Sequence, residues 1–438
     1  MTAPSRDGRA TRLRRVLADV TPLRESPAYR RLWIGLSLGN VGQQVALTAL
    51  GLQVYDLTRS SFAVGLAGFV GLVPLVTLGL YGGAILDAHD RRKVALVASV
   101  LLWLTSVVTA AQAWASLRSV GLLYVLIAAQ SAAFAVNNPA RQSIVPRLVR
   151  GDLLPAANAL TTVAWTFGLA LGPLLGGLLV GWFGFAPAYT LDAVTYLAAI
   201  FAVWRLPPLP PQGKVRRAGL RSVLQGLRYL GTRPNVRMTF LVDLSAMILA
   251  QPRALFPAIG ATVLGGGPTT AGALLTAVAI GSVIAGTMSG PLGSLHRQGR
   301  VVILCVMGWG LAVAAFGGCV GAAEVAGGAP PQGVSWWLWP AAVALALAGA
   351  ADAVSAVFRS TILQAASPDE LRGRLQGVFI VVVAGGPRLG DLVAGTTGQL
   401  LGLGVAAVAG GFACIGTVAL LARLQPGFAR YDSRHPEP

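Results

Sequence analysis

The amino-acid sequence predicts an all-α integral membrane protein: twelve transmembrane helices arranged as two six-helix bundles. Three observations carry that reading. Hydrophobic residues make up 55% of the 438 positions and charged residues only 11%, too little charge to cover a soluble chain of this length. Charge-free runs recur, and 32–55, 60–86 and 94–117 each exceed the roughly 20 residues that cross a bilayer. The basic residues fall on alternate loops. One face holds 30 of the 34 Lys and Arg, the other has Arg59 and Arg118, and Arg253 and Arg388 lie inside spans. Loops rich in Lys and Arg stay cytoplasmic, which places both termini and the central loop inside. The +18 net charge is thereby a topology signal rather than a nucleic-acid footprint.

Each element follows from the same pattern. Residues 1–29 are polar and Arg-rich, too long and too charged for a secretory leader, and read as a cytoplasmic tail that Pro22 and Pro27 keep from running helically into the membrane. Helices 1–6, over 30–55, 61–86, 93–116, 119–140, 154–180 and 186–205, form the first bundle, 30–205. A cytoplasmic linker, 206–236, opens on Pro207-Pro208-Leu209-Pro210-Pro211 and carries Lys214, Arg216, Arg217, Arg221 and Arg228. Its stretch 220–230 has helical apolar spacing suited to the membrane surface. Helices 7–12, over 237–263, 269–294, 300–322, 336–362, 372–400 and 403–423, form the second bundle, 237–423, before a tail at 424–438. The uncharged runs 153–191 and 254–295 are each too long for one crossing, and Trp182-Phe183-Gly184-Phe185 and Gly265-Gly266-Gly267-Pro268 supply their turns. Cys305, Cys319 and Cys414 sit in apolar spans, so neither a disulfide framework nor a metal site is expected.

The halves repeat. Gly82 to His89 recurs, weakened, as Ser289 to His296; Arg141 with Asp152 recurs as Arg359 with Glu370; and Gly172-Pro173-Leu174-Leu175-Gly176-Gly177 recurs as Gly386-Pro387-Arg388-Leu389-Gly390-Asp391. Three landmarks in one order point to a duplicated six-helix unit, with a transport site at the interface of the two copies.

Two motifs stand out. Gly83-Ala84-Ile85-Leu86-Asp87-Ala88-His89-Asp90-Arg91-Arg92-Lys93 lies in the loop between helices 2 and 3. Gly83 permits close packing, Asp87 accepts hydrogen bonds and pairs with a cation, and Arg141 at the end of helix 4 is the expected partner in a conformational latch with Arg91 and Arg92. The loop resembles the signature loop of the major facilitator superfamily. Gly168, Gly172 and Gly176 recur at four-residue spacing on helix 5, beside Pro173 and Gly177, and allow tight helix contact. That segment resembles the helix-5 motif of major facilitator antiporters, which in that family marks exporters; the alternative is ordinary small-residue packing.

Ionisable residues inside spans are costly and demand a role. Asp391 follows Arg388 by three positions, so the two share a face, either as a self-neutralising pair or as a coupling site. Asp243, Asp352 and Asp192 are further candidates for proton coupling; Asp192 and Asp243 fall near span ends, and Asp352 faces the same way as Arg359, two turns on, without touching it. Arg253 and Arg388 offer forks of donors to an anionic substrate.

The segments Arg359 to Gln364 and Pro368 to Arg374 look like the helix 10–11 junction of the drug-exporter branch of the major facilitators. The Pro-rich centre, Arg253-Ala254-Leu255-Phe256-Pro257-Ala258 and Gly390-Asp391 narrow the resemblance to the enterobactin (siderophore) exporter family. One departure is that Ile127 stands three residues before Gln130, where the helix-4 antiporter motif carries an arginine. The resemblance implies proton-driven export of a siderophore-like small molecule by alternating access. The alternatives are a multidrug or macrolide efflux antiporter and, from another class, a membrane scaffold or channel. An enzyme is disfavoured because no loop offers clustered acidic or nucleophilic residues, and no phosphate-binding loop is present. The expected partners are a small molecule, protons and lipid, with no cofactor and no nucleic acid, and the expected state is a monomer.

Overall fold

The computed structural model describes residues 19–210, 228, 230–287, 295–331, 333–365, 369–432 and 434, apart from the side chains at 80–88, 364–365, 369–381, 383 and 384. Among the described residues are twelve long helices in chain order. The first six are α1 Pro27–Thr58, α2 Ser61–Ala88, α3 Arg91–Trp114, α4 Val120–Ile144, α5 Leu154–Phe183 and α6 Phe185–Trp204. The second six are α7 Pro234–Leu249, α8 Gly267–Thr287, α9 Gln298–Val325, α10 Leu338–Ala365, α11 Asp369–Leu401 and α12 Leu403–Leu424. Ten spans among the described residues are long and apolar enough to cross a membrane, one of them running Pro234–Thr262. The other two, α1 and α11, match them in length and carry more polar residues along their middles, among them Asn40, Gln43, Gln44 and Gln53 on α1 and Arg388 and Asp391 on α11.

Caps set several boundaries. Ser26 caps α1, its hydroxyl accepting from the Tyr29 N–H at 3.2 Å and donating to the Leu148 carbonyl at 2.8 Å. Pro27 is thus the first residue of α1 rather than a barrier before it, since a first-turn proline sacrifices no hydrogen bond. Gly184, at φ +84°, makes the tight turn from α5 into α6. The tail after α12 is not loose at its start: Pro426–Arg430 forms a short helix with Phe428 fully buried. Most of the linker, including its expected surface helix, lies outside the described residues.

Span 7 differs from expectation. Instead of one helix over 237–263, α7 stops at Leu249, a tight turn follows at Arg253–Leu255, and Phe256–Thr262 resumes the crossing. Pro252 explains the break, because it cannot donate and disfavours helix in the residue before it.

In the first half α1 packs chiefly on α6 and α5, and α3 on α6 and α4; in the second α9 packs on α12 and α10, and α8 on α10. Two seams join the halves, α2 against α11 and α5 against α8. Small residues make both possible, as expected where helices pack in lipid. A Cβ on Gly65 would lie within 2.3 Å of the Asp391 carbonyl, and one on Gly272 within 2.4 Å of the Pro173 carbonyl. Both close approaches fall on the parts of these helices away from the chain termini, so the halves are closed on that face.

Candidate functional site

On the face bearing the termini the described residues of the first half are open at a cavity. This cavity, of about 600 Å³, lies among α1, α4 and α5. Its walls are amides and hydroxyls (Asn40, Gln43, Asn138, Asn158, Thr161, Thr162) interleaved with Trp33, Phe134 and Trp165. Arg141 is its one charged lining residue among the described residues. The cavity wall is fixed by hydrogen bonds from α1 to the backbone of α5. The Tyr29 hydroxyl donates to the Ala157 carbonyl at 2.7 Å, Trp33 Nε1 to the Leu160 carbonyl at 3.0 Å, and Asn40 Nδ2 to the Ala164 carbonyl at 3.2 Å. Arg141 is oriented from behind: Nη1 donates to Asn137 Oδ1 at 2.9 Å, and Asn137 Nδ2 donates to Ser99 Oγ at 2.8 Å.

A second cavity, of about 160 Å³, lies on the closed side where the halves meet. Arg253, Arg388 and Asp391 all line it, together with Gln130 and Ser131 of α4. Arg388 and Asp391 therefore share a face as their spacing predicts, and Arg253 joins them from the break after α7. Arg388 Nη1 and Asp391 Oδ1 are buried without hydrogen-bond partners among the described residues.

The remaining span carboxylates lie elsewhere. Asp192 on α6 is 1% exposed, with Oδ2 accepting from Ser106 Oγ of α3 at 2.6 Å, so it is not near water as its position towards a span end suggested. Asp243 on α7 is likewise buried and forms an ion pair with Arg359 of α10. Arg359 Nη2 also reaches Asp352 Oδ1 at 3.1 Å, which corrects the expectation that those two face the same way without touching.

A family model described as transmembrane secretion effector matches residues 17–435. The chain belongs to that family of major facilitator transporters. The enterobactin exporter EntS of Shigella boydii serotype 18 is 28% identical over 414 residues, covering 92% of this chain and 94% of that protein. The enterobactin exporter EntS of Escherichia coli O1:K1 is 27% identical over the same coverage. Among solved structures, the peptide-family transporter PepTSo matches with TM-score 0.72 at 11% identity, covering 92% of this chain and 98% of that one. A bacterial homologue of ferroportin in an inward-facing state matches with TM-score 0.65 at 14% identity, covering 92% and 98%. At such identities these likenesses establish the major facilitator fold.

Within this transporter the helix-5 motif faces two ways. Gly168, Gly172 and Gly176 lie against α1: a Cβ on Gly172 would sit 2.3 Å from Gln44 Cβ. Gly177 and Pro173 instead meet Gly272 of α8, across the seam between halves. In the signature loop, the packing at Gly83 and the side chain of Asp87 lie outside the described residues, and with them the pairing of Asp87 with Arg141. What is described there is a clasp that sequence reasoning missed. Asp90 Oδ1 accepts from the Arg92 N–H at 2.8 Å, capping α3, and Oδ2 accepts from the Leu209 N–H of the linker at 3.2 Å. Arg91 Nη1 donates to the Ser143 carbonyl at 3.2 Å and Arg92 Nη2 to the Trp204 carbonyl at 2.6 Å. An aspartate immediately before an apolar run is a helix-cap signal, so the first half of this clasp was available from the sequence.

Proposed function

We propose that the chain exports an amphipathic, anionic aromatic molecule of the siderophore class across the bacterial plasma membrane, driven by proton entry. The observation that carries the reading is the composition of the larger cavity: one guanidinium, Arg141, among neutral amides, hydroxyls and two tryptophans. Such a site offers charge-assisted hydrogen bonds to an anion and flat apolar faces to aromatic rings. It holds no carboxylate among its described lining residues, the feature a site for cationic drugs would need. The enterobactin exporters it resembles support the same substrate class. Arg388 and Arg253 continue the cationic path towards the closed face.

In this cycle the bundles 30–205 and 237–423 rock about the site as a monomer. The basic face, with both termini, is cytoplasmic, and the open cavity is the loading state. Asp87 with Arg141, Arg91 and Arg92 forms the latch that closes this face in the opposite state.

Proteoliposomes with the cytoplasmic face outward test the reading. An acidic lumen is expected to drive uphill uptake of a catecholate anion but not of a cationic dye. Arg141→Gln is expected to weaken binding of the anion by roughly tenfold or more, the worth of a charge-assisted hydrogen bond, with little effect on a neutral analogue. Preference for the cationic dye would replace the siderophore reading with multidrug efflux.

A further inference from the structure

The repeat-related arginines Arg141 and Arg359 occupy corresponding places on α4 and α10, yet their surroundings differ in charge. Arg141 faces the open cavity and is held by the neutral Asn137. Arg359 is held between Asp243 of α7 and Asp352 of α10. The side chains of Arg359 and Asp243 are less than a tenth exposed, whereas that of Asp352 is 34% exposed. Two carboxylates and one guanidinium carry one excess negative charge. A charge left uncompensated at membrane depth is costly, so the excess calls for a cation.

A hard metal ion wants about six oxygen ligands, and the described residues contain no group of three His, Cys, Asp or Glu able to hold one. A proton needs a single oxygen. The surroundings suit it. Ser355, one turn from both Asp352 and Arg359 on the same face of α10, is fully buried, and its hydroxyl has no hydrogen-bond partner among the described residues. It can accept from a protonated carboxyl. Arg359 Nε has no hydrogen-bond partner among the described residues, and the guanidinium bridges the two carboxylates through its other nitrogens. Of the neighbouring helices, α8 carries no titratable side chain, α9 contributes Cys305 beside Asp352, and α12 contributes Cys414. The cluster at the seam has the opposite balance: Arg253 and Arg388 against Asp391 leave an excess positive charge, which suits an anion rather than a proton.

We propose that Asp243, Arg359 and Asp352 form the proton-binding site that couples the cycle, with Asp352 the half-exposed entry and Arg359 moving towards whichever carboxylate stays ionised. This rests on the proton-driven reading above. Only one proton is taken up per cycle, because one guanidinium already balances one of the two carboxylates.

The test compares wild type, Asp243→Asn and Asp352→Asn in sodium-free proteoliposomes, following gradient-driven accumulation of a catecholate anion and gradient-free counterflow. Each variant is expected to lose gradient-driven accumulation by about tenfold or more, within the usual range of coupling between sites, while counterflow persists. A wild type indifferent to the gradient would overturn the proton-driven reading and this assignment with it. A responsive wild type with two equally responsive variants would overturn the assignment alone. For a variant that loses counterflow too, anion binding read by tryptophan fluorescence from acid to neutral pH decides. Loss of the wild-type pH dependence supports the site, and an unchanged profile refutes it.

Discussion

Ser106 and Asp192 show how a single contact can hold a buried carboxylate. The Ser106 hydroxyl is the one donor to Asp192 Oδ2 that the described residues supply, and Asp192 Oδ1 has none. Removing that donor leaves a buried polar group unsatisfied. Ser106→Ala is therefore expected to destabilise the protein by about 1–3 kcal/mol, read as a lower unfolding temperature in detergent. In an Asp192→Leu background the same serine change should cost under about 0.5 kcal/mol, since nothing remains to satisfy. An equal cost in both backgrounds would mean that Ser106 acts through another partner. Residues of this kind were partly legible. Asp192, Asp243, Asp352 and Asp391 are identifiable from charge inside apolar runs, but their partners are not. Seven residues of helix rise about 10 Å, which suggests that Asp352 and Arg359 cannot meet, yet the long guanidinium side chain closes the gap. Asp243 reaches Arg359 from another helix, a contact that no local spacing encodes.

Among the elements, α5 and α8 pack together on the face opposite the termini. A Cβ on Gly181 would lie 2.8 Å from Thr269 Oγ1, a separation across the seam that brings two cysteine side chains within disulfide reach. Gly181→Cys with Thr269→Cys is expected to cross-link under mild oxidation in the state described here, to stop transport, and to recover on reduction. Full transport by the cross-linked protein would show that this seam does not open in the cycle. The glycine spacing of α5 was readable in advance, and so was its promise of close packing. Which glycine meets which helix was not, because Gly176 and Gly177 are adjacent in sequence yet touch α1 and α8 respectively. The break after α7 carried a signal in Pro252 that apolar length outweighed. Apolar runs locate a crossing well but do not say whether it is one helix or two: span 7 breaks at Pro252, whereas Pro74, Pro139, Pro173 and Pro387 sit inside continuous helices.

On the scale of the whole molecule, orientation and conformational state depend on one another. Charge-poor runs and alternating basic loops suffice to read twelve helices and two halves, because lipid forces every backbone group into a helix and leaves the loops to carry charge. Which face is open cannot be read that way, since both states of a rocking transporter share one sequence and one set of helices. The structure opens towards the termini, where Asn138, Arg141 and Thr162 line the larger cavity. If the basic face is cytoplasmic, a cysteine at Thr162 should react with a membrane-impermeant thiol reagent in inside-out vesicles and be protected in intact cells. A reporter fused after Lys214 or at His435 should read cytoplasmic, and a tag at Gly328, in the turn between α9 and α10, should be reachable from outside. The native thiols Cys305, Cys319 and Cys414 would first be replaced by alanine. Labelling at Thr162→Cys from the outside only, with a cytoplasmic reporter at Lys214, would mean that the chain rests with its cavity facing outward. An external reporter at Lys214 would reverse the orientation itself, and an acidic lumen would then load the vesicle from the wrong face.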